Sequence, residues 1–435
     1  MLRLTLLGSN HCLCLQAAPA ENAAETRRVH TPAAGGNVRT ALQWTRREQC
    51  SKVTGHVACA TQHTMQQSIL LIRCICLVQL VLVTAQQALR VYVYELPRNL
   101  TQNVLAAHYQ QQWLSGAYEY EADLWIYDKM VNGPWRVKDP AAANLFYIPV
   151  LPTRFLHQSL SATTGWQEAL QLSGQYLQEA LEHVQIQPFR SRNNGRDHFV
   201  TMTADSARCT HLRWLPRSLW GELSVIMHLG DLVMREEGIP CFDPDVDVLL
   251  PAYNPLEQEP LADVYSQERN VTVLYRFGVS GPTASHPYHT RLIRPELRKH
   301  FEASPLPGAD WSASSISDTL VDMAHSIFCV CPPGVVAHTS RFWRALRRGC
   351  IPVTFFRAYQ LPFSDMIDYS SATVNIQPDN IHTLHIVLAG ILHDKDRLHA
   401  LQQQVQILQQ MLVWEYESGI SQLLQDELLK RISVL

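Results

Sequence analysis

Apolar and polar positions divide this chain into an irregular head, one continuous apolar run and a long alternating remainder. Residues 1–64 show no sustained period and are dominated by Ala, Thr, Arg and Gln. An apolar stretch follows over 69–85, interrupted by Arg73 and Gln79. Beyond it, strand-length apolar runs alternate with segments whose apolar residues recur every three or four positions. Strands are expected at 89–94, 145–150, 198–202, 224–229 and 246–250. The run at 145–150 is nearly continuous, as a parallel sheet covered on both faces requires. Helices are expected at 103–114, 121–131 and 166–184, the last with Leu170, Leu177, Ala180, Leu181 and Val184 on one stripe. A polar, proline-bearing linker spans 251–270. A second series then begins with a strand at 271–277 and continues with helices at 296–301 and 316–325, and strands at 326–331, 351–355 and 372–376. Helices at 384–391 and 398–413 close it, with Asp394 and Asp396 available to cap the second, and 414–435 is a tail or helix. The pattern predicts an α/β protein with two domains, 89–250 and 271–413. Such a pair places a cleft between the carboxyl ends of its strands, where ligands of these sheets bind.

The densest signal is at 326–355, SIFCVCPPGVVAHTSRFWRALRRGCIPVTF, which reads as strand, loop, helix, strand. Pro332, Pro333 and Gly334 stop the first strand, and Thr339 or Ser340 can cap the helix. Phe342, Trp343, Ala345 and Leu346 give that helix one apolar face. Arg347 and Arg348 suit its last turn, and Gly349 suits the C′ position. Arg341 is out of place, because a cation in the first turn opposes the helix dipole. A helix N-terminus with an added arginine is a ready anion site, for a nucleotide phosphate or for a carboxylate from another element.

Composition refines this. A length of 435 residues suits two domains, and a net charge of −3 gives no electrostatic case for nucleic acid binding. Before the apolar run, Arg3, Arg27, Arg28, Arg39, Arg46, Arg47 and Lys52 face only Glu21, Glu25 and Glu48, which places the amino terminus of a membrane anchor in the cytosol. Alternatively, translation starts at Met65, 69–85 is a secretory leader cut after Val83-Thr84-Ala85, and 1–64 is not translated. Both readings send the remainder to a lumen, which the sequons at Asn99 and Asn270 support. Of 11 cysteines, Cys209, Cys241, Cys329, Cys331 and Cys350 follow the run, so at least one is unpaired within this part. Cys329 and Cys331 share a strand face, lack further zinc ligands, and read as small buried apolar residues. Asp243-Pro244-Asp245-Val246-Asp247 holds two overlapping D-x-D patterns and reads as a polar turn before a strand rather than a divalent-cation site.

The 326–355 unit resembles the exostosin family of glycosyltransferases. The resemblance rests on Phe328-Cys329-Val330-Cys331-Pro332-Pro333-Gly334, Thr339-Ser340-Arg341, Gly349-Cys350-Ile351-Pro352-Val353, and Pro362-Phe363 through Ile367-Asp368-Tyr369. In the first domain, VYVYELP, DPAAANLFYIPV and Gly195-Arg196-Asp197-His198-Phe199 followed by Asp205 are similar to the family's segments, as is Leu274-Tyr275-Arg276-Phe277-Gly278 in the second. The likeness covers roughly 89–412. It implies a GT-B fold, two Rossmann-like domains facing a central cleft after an N-terminal anchor or signal segment. It also implies Golgi residence as a type II membrane protein, and transfer from a nucleotide sugar to a polysaccharide or glycoprotein glycan, usually with inversion. The expected partners are the nucleotide sugar, the glycan acceptor, the Golgi membrane, and copies of itself or related transferases. The nucleotide sugar is a substrate, and no cofactor or divalent metal is expected. The sequence departs from the family where Arg344 occupies the place of an acidic helix residue that accepts hydrogen bonds from the donor ribose; arginine only donates.

Inverting transfer needs a base for the acceptor hydroxyl, positive charge on the leaving diphosphate and a cleft that excludes water. Asp205, just past a first-domain strand, is the candidate base, with His198 as runner-up. Arg276, Arg341, Thr339, Ser340 and Arg344 are candidate donor contacts, and Gly334 lets backbone approach the donor. Two other classes remain open: a non-catalytic lumenal partner of an active transferase, favoured by Arg344, and a carbohydrate-binding module, which would not need the strand–helix–strand unit.

Overall fold

Strands alternate with helices over residues 88–433 of the computed structural model, which describes this range apart from 111–119, 161, 164, 237, 254–260, 262, 266–267, 279–289, 312–315, 335, 338 and 415–418. The head at 1–64 and the apolar run at 69–85 lie outside the described residues. Among the described residues, no helix is long and apolar enough to cross a membrane.

The first sheet uses β1 (Val91–Val93), β2 (Arg136–Val137), β3 (Leu145–Tyr147), β4 (His198–Thr201) and β5 (Ser224–Met227). After a short hairpin of β6 (Arg235–Glu236) and β7 (Ile239–Pro240) it is completed by β8 (Val248–Leu249). Its order is β2-β1-β3-β4-β5-β8. The second sheet uses β9 (Val271–Leu274), β10 (Ala309–Asp310), β11 (Ser326–Cys331), β12 (Ile351–Thr354) and β13 (Val374–Asn375), in the order β10-β9-β11-β12-β13. Neighbours within both sheets pair in parallel. Parallel neighbours need helical crossovers, which cover both faces and explain the continuous apolar runs. Several strands are shorter than their runs suggest. Ile148 and Val150 stay in the core after the β3 ladder has ended, so the pattern reports burial rather than pairing.

Helices 122–132, 166–185, 340–347, 384–393 and 395–411 occupy the expected places, with Asp394 accepting from the Arg397 N–H at 3.0 Å as a cap. The helix Pro152–Leu160 is a correction to the sequence reading, which left it out. Its inward face carries Arg154, and a charge on that face hides the amphipathic pattern. The buried guanidinium is held by Asp123, itself fully buried, through Nη2–Oδ1 and Nε–Oδ1 contacts of 2.9 and 3.0 Å.

Both sheets belong to one compact unit, Val78–Leu435. A single apolar cluster runs from Val91 and Ile126 in the first sheet's layer to Val330, Leu424 and Leu428. The link is the helix Ile420–Ile432, which returns from the second sheet to the first. Trp135 Nε1 donates to Gln425 Oε1 at 3.2 Å, Trp125 Nε1 donates to the Trp414 carbonyl at 3.2 Å, and Arg431 reaches the carbonyls of Asp245 and Asp247. A second seam joins the loops after β5 and β12. Asp231 bridges Tyr359, and the Gln360 N–H donates to the Gly230 carbonyl at 2.8 Å. A Cβ at Gly230 would lie 1.9 Å from the Gln360 oxygen, so the seam closes only over glycine.

Two buried histidines give this fold a pH signature. Burial, with the Arg154 charge, lowers His157 to about 4; burial, with His157 and Arg213, lowers His211 to about 3. An unfolded imidazole binds its proton near about 6.5, so the unfolded chain holds more protons between that value and the folded ones. Stability from these groups is therefore full above about pH 6.5 and falls as pH drops toward 4. Thermal denaturation should show Tm falling by several °C from pH 7 to pH 4.5, with a shallower slope in His211→Asn, whose amide keeps a polar partner for Ser173.

Candidate functional site

The carboxyl end of β11 and the helix Ser340–Arg347 form one half of the site. Cys329 is not merely a small apolar residue as the sequence reading has it: it forms a disulfide with Cys350, fastening β11 to the residue before β12. Cys331, on the same face, is the free thiol among the described cysteines. Burial pushes it up to about 12 against the opposing charge of Arg341. That influence places the Arg341 guanidinium near the end of β11. The chain then turns through Pro332 and Pro333, both buried, to the half-buried Gly334. Arg294 holds this turn, donating from Nε to the Pro333 carbonyl at 3.0 Å and from Nη1 to the Gly278 carbonyl at 3.1 Å.

The helix forms as its pattern predicts. Phe342, Trp343, Ala345 and Leu346 are buried. Gly349 takes φ +67°, and the Gly349 and Cys350 N–H groups return to the Leu346 and Ala345 carbonyls, a Schellman end. Its other end is left open. Thr339 is the N-cap residue in extended conformation, yet its side chain makes no capping hydrogen bond although the residue is only 9% exposed. Arg344 leans back one turn, as helical side chains do, and its Nη1 donates to Ser340 Oγ at 3.3 Å. Thr339, Ser340, Arg341 and Arg344 thus gather at one helix end, beyond Gly334.

Asp205 belongs to the other half, in the loop after β4. The Tyr120 hydroxyl donates to its Oδ1 at 2.6 Å. Thr203 Oγ1 donates to the Tyr120 carbonyl at 2.8 Å, and Thr153 Oγ1 accepts from the Thr203 and Ala204 N–H groups at 3.0 and 3.1 Å. The two halves meet. Val336, in the loop leading to the open helix end, packs with Cys209, Cys241, Leu229 and Met234 in one apolar cluster, and Cys209 and Cys241 form a disulfide. Cys209 lies four residues after Asp205, so this cluster joins the segment after β4 to the loop that leads to the helix end.

Two expected site residues are engaged by other groups. His198 opens β4 at the sheet edge opposite the carboxyl ends and is fully buried. Its Nδ1 meets Asp197 Oδ1 at 2.8 Å, its Nε2 meets the Tyr94 hydroxyl at 2.8 Å, and its ring stacks on Phe146. Burial pushes it below the usual imidazole range, although Asp197 pulls the other way. It is a core residue, and no catalytic part is assigned to it. Arg276 sits past β9 but its Nη2 lies 2.5 Å from Asp322 Oδ2 and 2.9 Å from Asp310 Oδ2, so its charge is already answered by two carboxylates. The D-P-D-V-D stretch is a turn: Asp243 Oδ1 accepts from the Asp245 N–H, and buried Asp247 pairs with Arg208 at 2.5 Å and accepts from the Val225 and Asp243 N–H groups. The sequon residues Asn99 and Asn270 are both exposed.

Sequence reasoning missed Tyr120 and Arg294. Tyr120 lies 85 residues before its partner, and no local pattern announces such a pair. Arg294 precedes the helix expected at 296–301, whereas the helix observed is Thr290–Ala303 and carries it.

A family model described as the Exostosin GT47 domain matches residues 85–391. The chain is 26% identical over 312 residues to the "Probable glucuronosyltransferase Os01g0926400" of Oryza sativa subsp. japonica, covering 71% of each protein. It is 25% identical over 311 residues to the "Probable beta-1,4-xylosyltransferase IRX10" of Arabidopsis thaliana, covering 70% of this chain and 72% of that one. Among solved structures, Anabaena HepE in complex with UDP-glucose overlaps 79% of this chain and 99% of its own, at 10% identity and a TM-score of 0.36.

The ion pairs assign Arg276 to the fold. Arg276→Met should lower stability by about 1–3 kcal/mol, seen as a lower midpoint in urea, because two carboxylates lose their partner. Calorimetric affinity for UDP should stay within about twofold of wild type, since a phosphate contact would be worth more than that.

Proposed function

We propose that this chain, which belongs to the exostosin GT47 family, transfers a sugar from a nucleoside diphosphate donor to a glycan acceptor across the gap between its two sheets. It is a glycosyltransferase, as the relatives it matches are named. The observation that carries the site assignment is the open end of the helix Ser340–Arg347. An N-cap threonine that is buried without capping, two arginines and the first-turn N–H groups gather where β11 delivers the chain. A diphosphate is the ligand such an end suits, being doubly anionic and rich in acceptors.

In this reading the two parallel sheets are the halves of a GT-B fold, with donor on the second and acceptor on the first. Arg341 and the helix end offset the charge that builds on the leaving diphosphate. Arg344 donates to a further donor oxygen, and Gly334 and Arg294 keep the turn close. Asp205 takes the proton of the acceptor hydroxyl, which attacks the anomeric carbon from the face opposite the diphosphate and inverts it. The relatives favour a uronosyl or pentosyl donor and a polysaccharide acceptor. Two disulfides, with Asn99 and Asn270 exposed for glycosylation, support an oxidising lumen, and we place the chain on the Golgi membrane.

A second reading, a non-catalytic partner that binds nucleotide, rests on Arg344 alone, a side chain without an acceptor. Binding and turnover separate the two. Arg341→Ala should weaken UDP affinity about 10- to 100-fold by calorimetry with Tm unchanged. Asp205→Asn should lower kcat about 10²- to 10⁴-fold, read as UDP release from a panel including UDP-glucuronic acid and UDP-xylose, with UDP affinity unchanged. Binding without turnover across the panel would select the partner reading, and no binding to any donor would remove both.

A further inference from the structure

Asp205 is not presented by its own loop alone. The loop after β4 is fixed by Thr153 Oγ1, which accepts from two successive N–H groups, of Thr203 and Ala204. Thr203 in turn fixes Tyr120 by donating to its carbonyl at 2.8 Å. The Tyr120 ring rests on His157, with centroids 5.3 Å apart and planes 23° apart, and its backbone bridges that of Tyr253. The phenol is therefore held from below, from the side and from behind, and its hydroxyl ends 2.6 Å from Asp205 Oδ1. A residue whose only part was to fill space would not need a hydroxyl aimed at a half-buried carboxylate.

We infer that Tyr120 is a positioning residue for the sugar transfer, holding the Asp205 carboxylate in the rotamer and the ionised state that a general base needs. This rests on the reading of Asp205 as that base. A phenol donating to one oxygen favours the charged carboxylate and restricts its rotation. The arginines on the adjoining segments have carboxylate partners. Arg154 is held by Asp123 and Glu121, and Arg208 by Asp247. Beneath the ring, His157 stays neutral at working pH, and Tyr253 across the bridge is a phenol raised by burial. The Tyr120 hydroxyl supplies a short, directed contact to that carboxylate.

The test is Tyr120→Phe in the full-length protein, which keeps the ring on His157 and removes the hydroxyl. UDP release from UDP-glucuronic acid and UDP-xylose is followed against pH, alongside UDP calorimetry and Tm. Plateau kcat is expected to fall about three- to thirtyfold and the acid limb of kcat/KM to move up by about half to one pH unit. Donor KM and UDP affinity should stay within about twofold. Thr203→Val, which frees the Tyr120 carbonyl, should shift the limb the same way and less far. A wild-type kcat and acid limb in Tyr120→Phe, with Asp205→Asn still inactive, overturns this inference alone. Loss of Tm in both variants without a shift of the limb does the same, leaving Tyr120 a structural part. Full activity in Asp205→Asn, or no UDP release by the wild type, overturns the base reading and this inference together.

Discussion

A parallel sheet covered by helices on both faces has nowhere along its strands to keep a solvated charge, so chemistry is driven to the strand ends. The rest of this molecule follows from that constraint. Asp205 comes just after β4, Gly334 just after β11, and the open helix end at Thr339 one turn of chain later. His198 tests the rule from the other side. It opens the strand that leads into the Asp205 loop, three residues before the strand's end, and that displacement moves it from the cleft edge into a dry stack with Phe146.

The arginines of the second sheet show how local partners decide what a cation is for. Arg276 and Arg341 both sit at carboxyl ends of adjacent strands, and both look suited to a phosphate. Two carboxylates flank Arg276, from β10 and from the helix Ile316–Ala324, so adding an anion there would mean breaking contacts that already exist. Arg341 stands in the first turn of a helix, where the dipole is unfavourable to it, next to an N-cap whose side chain makes no capping hydrogen bond. Placing a cation against a dipole costs stability, and an arriving anion relieves the conflict.

Most of the fold was legible because its signals are local. Alternation of period located the two sheets, and the sequence around Arg341 specified a helix down to the residue at its Schellman end. What stayed hidden was nonlocal. Cys329 and Cys331 were placed on one face correctly, but which of them meets Cys350 depends on where β12 begins to pair with β11. The helix carrying Arg154 was missed because its polar inward residue is satisfied by Asp123 from another helix. Tyr120 could not be tied to Asp205 because the contact is made by loops that the sheet, not the sequence, brings together.

The return of the helix Ile420–Ile432 to the first sheet has a consequence for how the chain is made. Trp125 and Trp135 are synthesised well before their hydrogen-bond partners, the Trp414 carbonyl and Gln425, which follow 289 and 290 residues later. At about 5–20 residues per second, the two indoles wait on the order of fifteen seconds or more for those partners. The layer around Trp125 and Trp135 is thus completed only once the helix Ile420–Ile432 has been made.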